Sequence, residues 1–200
     1  VIPVELGLLA QDGSALPLGL VPVIGGAMVL IAFMTENASE NWSALHIEKT
    51  LGGSPEEGAL GPAMLALTMG FARLGGQWIT GKVDPFTILR VGAVVAAMGA
   101  LIVATAPTPP VAYLGFVITG IGASVLAPTA FSLVGQLSRP EARARAIARA
   151  TMLGYFGYFV GPPTLGLIAG TFGLRFAFVF AAGLVSLVFL LAPLLSRQRT

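Results

Sequence analysis

The chain has 200 residues, of which 56% are hydrophobic and only 10% are charged, and its mean hydropathy is +0.88. Soluble domains carry about 25% charged residues, so the composition excludes an ordinary soluble domain and predicts a membrane protein with the lipid bilayer as a partner. The small net charge of +2 predicts no nucleic-acid partner, and the absence of cysteine excludes disulfides and thiolate metal sites.

The charges are excluded from the apolar runs and gathered between them. Residues 91–138 contain no Asp, Glu, Lys or Arg. A charge at the centre of a membrane helix costs roughly 3 kcal/mol, so this is the pattern expected of helices inside a bilayer. Strands of a membrane barrel would instead show alternation in segments of about ten residues. The sequence therefore predicts an all-α membrane protein.

Six stretches approach the roughly 20 apolar residues that a helix needs to cross a bilayer. Residues 1–17 come before them, hold Glu5 and Asp12 without a cation, and are predicted to be a linker from a missing upstream half. We expect residues 18–196 to form the six-span unit and residues 197–200 to form a cytoplasmic tail. The predicted spans are 18–34, with a helix that continues toward residue 42, then 58–77, 86–106, 111–134, 147–171 and 176–195.

Prolines mark the boundaries between several of these spans. Pro107, Pro109 and Pro110 stand too close together for a helix to continue through them, so they divide the charge-free region into two spans. Pro140 follows Ser138-Arg139 at a position typical of a first helical residue.

The cations are distributed unequally between the two ends of the predicted bundle. One end keeps only Lys49 and Arg175, together with five glutamates. The positive-inside rule then makes the other end cytoplasmic, with both termini there, in what we expect to be a bacterial inner membrane. The nine basic residues assigned to that end, of eleven in the chain, are Arg73, Lys82, Arg90, Arg139, Arg143, Arg145, Arg149, Arg197 and Arg199.

The arginines between residues 139 and 149 admit two interpretations. They could form a patch for nucleic acid or lipid head groups, or they could simply anchor the topology. The positive-inside rule favours the topology anchor.

Three motifs stand out within this framework. The connection at 70–82 combines small residues with cations and contains Arg73, Gly76 and Lys82. Small residues let helices approach closely, and the same reasoning applies to Gly157 and Gly161 in the fifth span. Pro162 and Pro163 in that span predict a kink that frees backbone carbonyl groups inside the membrane.

Two further features complete the pattern. Glu36 precedes Trp42-Ser43 by six residues, and the fourth span carries a small-residue run at 120–128. In this order, the motifs resemble the C-terminal six-helix half of a Major Facilitator Superfamily (MFS) transporter, over about residues 18–195 and closest to bacterial sugar-type and drug-type members. Gln77 departs from the family pattern, which usually has an acid there, and this argues against a charge-relay role for the loop but leaves a packing and gating role.

The resemblance implies a secondary transporter that moves a small sugar-like or drug-like solute by alternating access. The N-terminal transporter half would be its partner, and each half would contain a 3+3 inverted repeat. Proton coupling and the choice between symport and antiport stay open. The alternative is a truncated or non-transporting membrane scaffold. A six-span channel is disfavoured because the sequence has no selectivity-filter motif.

An enzyme is not expected, and neither is a cofactor or a metal. The lone histidine, His46, falls in a predicted outer loop, and no HExxH motif exists. The run Gly122-Ala-Ser124-Val-Leu126 lacks the final glycine of a nucleophile elbow.

Glu36 is the acid closest to the membrane interior. At 1.5 Å per residue it lies about 27 Å from residue 18, which predicts a place near the outer boundary. It is either a protonatable gate or coupling site or a solvated carboxylate at a helix end. The other proposed substrate-path residues are Asn37, Asn41, Trp42, Ser124, Tyr155 and Tyr158.

These residues also have alternative interpretations. Trp42 is an interfacial anchor or a sugar-stacking platform, and we favour the anchor. Tyr155 and Tyr158 share one helical face and either line a substrate path or bond between helices. Ser124 is expected to hydrogen-bond between helices more readily than to a ligand. Arg73 is predicted to be a cytoplasmic gate or anchor.

Overall fold

A computed structural model of the chain describes residues 19–197, with their side chains except at positions 77–80. The predicted linker at 1–17 and residues 198–200 of the predicted tail lie outside this described part. Within it the fold is all-α and contains no strand. The helices are α1 (Leu20–Leu45), α2 (Pro55–Thr80), α3 (Pro85–Thr105), α4 (Pro109–Ser124), α5 (Leu126–Leu137), α6 (Arg143–Phe172) and α7 (Leu174–Ser196).

The first helix extends further than its apolar run. A π-helical turn, His46–Thr50, continues α1 without a break, so the apolar rod runs from Leu20 to Thr50. Glu36 therefore lies near the middle of a 31-residue segment. The helix does not end where its purely apolar residues do, and the place of Glu36 near the outer boundary of the membrane stays a prediction.

The predicted fourth span is one rod with a break inside it. α4 and α5 are separated at Val125, three residues before Pro128. Proline has no N–H to bond to the carbonyl group four residues earlier, here that of Ser124, and its ring clashes with that carbonyl. The break therefore follows from Pro128. In contrast, α6 runs through Pro162 and Pro163 as one helix.

Four rods within the described residues are long and apolar enough to cross a membrane: Leu20–Thr50, Pro85–Thr105, Pro109–Leu137 and Leu174–Ser196. The remaining two, α2 and α6, have 26 and 30 residues, but glycine, proline and polar side chains dilute their apolar character. The chain is an integral membrane protein of six long helical rods. The count of six spans and the inverted repeat stay predictions.

Glycine sets the closest helix contacts. α3 packs on α4 and α7, and α1 packs along α6. A Cβ at Gly122 would meet the backbone of Ala96, and one at Gly157 would lie 2.6 Å from the Leu30 carbonyl oxygen. Backbones can approach this closely only where no side chain intervenes.

Polar groups fix the ends of the helices. Asp84 caps α3 by accepting hydrogen bonds from the backbone N–H groups of Phe86 and Thr87, at 3.1 and 3.2 Å. Ser54 and Glu57 form a reciprocal capping box before α2, with distances of 3.3 and 2.8 Å.

His46 is not in an outer loop, as the sequence suggested, but fully buried in the π-helical turn. Its Nε2 donates to the carbonyl oxygen of Val103 at 3.1 Å, and its ring meets Phe178 edge-on. Nearby, Arg175 donates to the carbonyl oxygen of Ala104 at 2.9 Å. The end of α3 is therefore tied to both α1 and α7. The last carbonyl groups of a helix have no partner within the helix, so the buried side chains of His46 and Arg175 can bond to them. The sequence pattern does not show which side chains reach these carbonyl groups.

Candidate functional site

Glu36 and Arg73 form an ion pair inside the bundle. The Arg73 Nη2 atom lies 3.3 and 3.4 Å from the two carboxylate oxygens of Glu36. The Glu36 side chain is only 12% exposed, whereas that of Arg73 is 47% exposed. Ionisable groups within membrane segments usually pair and mark functional pathways.

This contact shows that Arg73 reaches a residue of α1 from within α2, although the sequence assigned it to the connection that follows α2. Arg73 is seven residues before the end of α2, about 10 Å inside the helix terminus. Its long side chain extends from there toward α1. The sequence placed Arg73 in the loop because a cation close to a helix end is usually a topology anchor.

An aromatic cluster borders the ion pair. Phe33 lies one turn before Glu36, and its ring is 5.3 Å from Tyr155 and 4.7 Å from Tyr158. The two tyrosine rings are 5.9 Å apart, on the shared face that their spacing predicts. Tyr155 is half exposed, so its ring is accessible beside the pair.

Two asparagines continue the polar face of α1. Asn41 Nδ2 donates to the backbone oxygen of Asn37 at 2.8 Å and to its side-chain oxygen at 3.0 Å. Asn41 is exposed and Asn37 is half-buried. These amides therefore lie on a face of α1 next to the one that carries Glu36 and Glu40.

A cavity of about 370 Å³ opens on the other side of Arg73, between α2, α3 and the α4–α5 rod. Of the described residues that line this cavity, Arg73 alone carries a charge. Ser124 borders the cavity, and its hydroxyl donates to the Ile121 carbonyl oxygen at 2.7 Å. The other lining residues are Gly76, Pro85, Ile88, Val125, Pro128, Thr129, Ser132 and Gln136.

Arg73 therefore belongs to two structures at once. Its guanidinium holds Glu36, and its side chain also forms part of the cavity wall. A solute that contacts Arg73 in this cavity would share the guanidinium with Glu36, which is contacted by Nη2 alone.

Trp42 lies away from this group. It is half-buried between α1, α6 and α7, against Ala38 and Leu165, and its ring edge faces Gly166. Its indole nitrogen is buried without a hydrogen-bond partner among the described residues. Trp42 therefore contributes to helix packing, and the interfacial anchor that the sequence favours stays a prediction.

The remaining predicted residues occupy separate places. Lys82 is exposed in the turn between α2 and α3. Gly157 and Gly161 face α1 at Leu30 and Met34. Pro162 and Pro163 follow them in the same helix, α6.

The sequence analysis missed the polar face of α5. Thr129, Ser132 and Gln136 line the cavity, and Gln136 Nε2 donates to the Ser132 hydroxyl at 2.8 Å. Their spacing of three and four residues, typical of one helical face, was the available signal. It was overlooked because the surrounding run contains no charge. No group of three His, Cys, Asp or Glu residues that could hold a metal occurs in the part of the chain that the structure describes.

The fold and the charges within it define an α-helical integral membrane protein with a paired acid and base beside a cavity. The family model described as the Major Facilitator Superfamily matches residues 23–200. The chain therefore belongs to the Major Facilitator Superfamily, as the sequence motifs predicted.

A relative from Yersinia pestis, an uncharacterized MFS-type transporter, is 31% identical over 184 residues. The match covers 92% of this chain and 46% of that protein, so the chain spans about half the length of such relatives.

Two solved structures share the fold. The Escherichia coli fucose:proton symporter FucP matches with a TM-score of 0.77 at 16% identity, over 88% of this chain and 42% of its own. A peptide transporter, POT, in complex with sulfate matches with a TM-score of 0.81 at 13% identity, over 89% and 38%. At such low identity these similarities concern the fold alone.

Proposed function

We propose that the chain is the C-terminal half of a secondary transporter that moves a small polar solute by alternating access. The observation that carries this proposal is the Glu36–Arg73 ion pair beside a cavity in the bundle. Family membership and relatives described as transporters support it. The N-terminal half would supply the facing half of the site.

Glu36 is the proposed coupling residue. Its carboxylate is nearly enclosed, and Arg73 compensates its charge. A solute that draws Arg73 into the cavity would leave Glu36 unpaired in a poorly hydrated place, where a carboxylate favours protonation. Solute binding and proton uptake would then be linked.

The cavity offers hydrogen-bonding groups to a sugar-like solute along a wall that is otherwise mainly apolar. Three hydroxyl-bearing residues and one amide border it, namely Ser124, Thr129, Ser132 and Gln136. Hydroxyl and amide groups both donate and accept hydrogen bonds, which suits a polyhydroxy solute. Tyr155 and Tyr158 offer an aromatic surface on the opposite side of the ion pair.

We also propose six spans with both termini cytoplasmic in a bacterial inner membrane. Arg73 no longer counts as a loop cation, because it pairs inside the bundle. The remaining cations still favour the end where α1 begins, and only Lys49 and Arg175 belong to the other end. The charge bias therefore retains its sign without Arg73.

The experiment is uptake by the full-length protein in proteoliposomes, with a panel of sugars and with and without an imposed pH gradient. We expect Glu36→Gln to abolish stimulation by the gradient. Glu40→Gln is the matched control, because Glu40 lies one turn further along the same helix and is exposed. Gradient stimulation that persists in Glu36→Gln would remove Glu36 from the mechanism, and no uptake of any solute by the wild type would favour a non-transporting scaffold.

A further inference from the structure

A second cavity, of about 330 Å³, lies at the end of the bundle where α1 and α6 begin and α5 ends. It is separate from the Glu36–Arg73 site. Three arginines, Arg139, Arg145 and Arg149, contribute to its wall. Its volume falls within the roughly 300–1,000 Å³ typical of small-molecule sites. The other lining residues are Gly19, Val21, Pro22, Leu137, Ser138, Ala142 and Ala146.

The arginines of this cavity have no anionic partner. None of their guanidinium groups forms an ion pair or hydrogen bond with another described residue. Arg145 and Arg149 are four residues apart and therefore neighbours on one helical face, where like charges repel. Three guanidinium groups therefore surround the cavity, while the neighbouring acid Glu141 forms no ion pair with them and does not line the cavity.

The backbone at this end increases the unbalanced positive charge. Neither α1 nor α6 has an acidic residue in its first turn or a side-chain cap at its start. The N–H groups of Ala142 and Arg143 donate to the carbonyl oxygens of Arg139 and Pro140, and Glu141 lies in the same turn. The dipole of α6 still adds positive potential beside the arginines at its start.

We propose that this arginine cavity binds a phosphate group. Guanidinium groups match phosphate oxygens in paired hydrogen bonds. The cavity lies where three apolar helices start or end, which is the level of lipid head groups in a bilayer. Basic pockets between membrane helices suit anionic head groups. The phosphate would come from an anionic phospholipid, and free phosphate is the alternative source of the same chemistry.

The test measures the melting temperature of the purified full-length protein in detergent. One arm adds phosphatidylglycerol, a second adds phosphatidylcholine, and a third adds inorganic phosphate. We expect phosphatidylglycerol to raise the melting temperature and phosphatidylcholine to leave it unchanged. A rise with inorganic phosphate alone, equal to that with phosphatidylglycerol, would assign the cavity to free phosphate and still support a phosphate site.

The variant Arg145→Gln/Arg149→Gln removes two charges from the cavity. Each arginine near an anionic surface contributes about fivefold in affinity, so we expect the apparent affinity for phosphatidylglycerol to fall roughly 25-fold. The matched control Arg143→Gln/Arg197→Gln removes two charges from the same end of the bundle but outside the cavity. The control should bind phosphatidylglycerol like the wild type. The single variant Arg149→Gln serves if the double variant is unstable.

Three results would overturn the proposal. Equal losses in the cavity and control variants would indicate a general charge effect rather than a site. No response of the wild type to either phosphate source would mean that nothing binds. Binding that appears only after Glu5→Gln/Asp12→Asn would mean that the acids of the preceding segment already neutralise the arginines.

Discussion

The Nη2 atom of Arg73 lies 3.3 Å from Oε1 of Glu36, although Glu36 comes sixteen residues after the start of α1 and Arg73 only seven before the end of α2. Because the two side chains are 47% and 12% exposed, the pair is neither a surface salt bridge nor a fully buried one. The carboxylate depends on the guanidinium more than the reverse, since water can still reach Arg73. This asymmetry determines what each substitution should do.

Arg73→Gln should destabilise the protein more than the double variant Glu36→Gln/Arg73→Gln. The single change leaves a nearly enclosed carboxylate without its partner, whereas the double change removes both charges. Breaking a buried pair costs about 3–5 kcal/mol, and the exposure of Arg73 reduces the expected loss to about 1–2 kcal/mol. Melting temperatures in detergent, analysed as a double-mutant cycle, measure the coupling. Additive effects of the two single variants would show that the pair contributes nothing.

His46→Phe should destabilise the protein by about 1–3 kcal/mol. An aromatic ring is kept, although a larger one, but the Val103 carbonyl oxygen loses the hydrogen bond that it accepts from Nε2. His46→Gln can still donate through its amide and should lose less. The melting temperatures of the two variants are compared with that of the wild type. Equal losses would mean that packing against Phe178, rather than the hydrogen bond, holds this end of the bundle.

Gly157→Ala should separate α1 from α6. The added Cβ would lie 2.6 Å from the Leu30 carbonyl oxygen, so one backbone must move, at a cost of roughly 1–3 kcal/mol. Gly183→Ala is the matched control, because a Cβ there meets no atom within 4 Å, and alanine favours a helix by up to about 1 kcal/mol. The free energy of unfolding in detergent should therefore fall for Gly157→Ala and rise for Gly183→Ala. A neutral Gly157→Ala would argue against this close contact.

Single cysteines at Glu56 and Arg143 should be labelled from opposite sides of the membrane. The chain has no cysteine of its own, and both positions are exposed. An impermeant maleimide applied to intact cells should modify Glu56→Cys alone, and applied to inverted vesicles it should modify Arg143→Cys alone. Labelling of both from one side would exclude the proposed topology.

The sequence determined the membrane class and the positions of the helices. A charge-free run of this length is stable inside a lipid bilayer. Clustered prolines end a helix in any surroundings. Four of the six predicted spans lie within single observed helices to within one residue at each end. The predicted fourth span covers both α4 and α5, and the first begins earlier, at residue 18. The family followed from the order of small, acidic and proline motifs, and residues 23–200 match its model. These are local properties, and they can be obtained from neighbouring residues.

Only the tertiary structure decided which charges meet. Arg73 was assigned to a loop and His46 to an outer loop, because near a helix end a polar residue most often faces water. Whether it turns inward depends on the depth and tilt of the neighbouring helix, which sequence periodicity does not contain. Contacts between helices produce the Glu36–Arg73 pair and bring the polar face of α5 to the first cavity. They also place three arginines, which form no ion pair with the described residues, around the second cavity. The sequence thus located the residues along each helix, and packing brought Glu36 and Arg73 together because an enclosed carboxylate in a bilayer is stable only beside a cation.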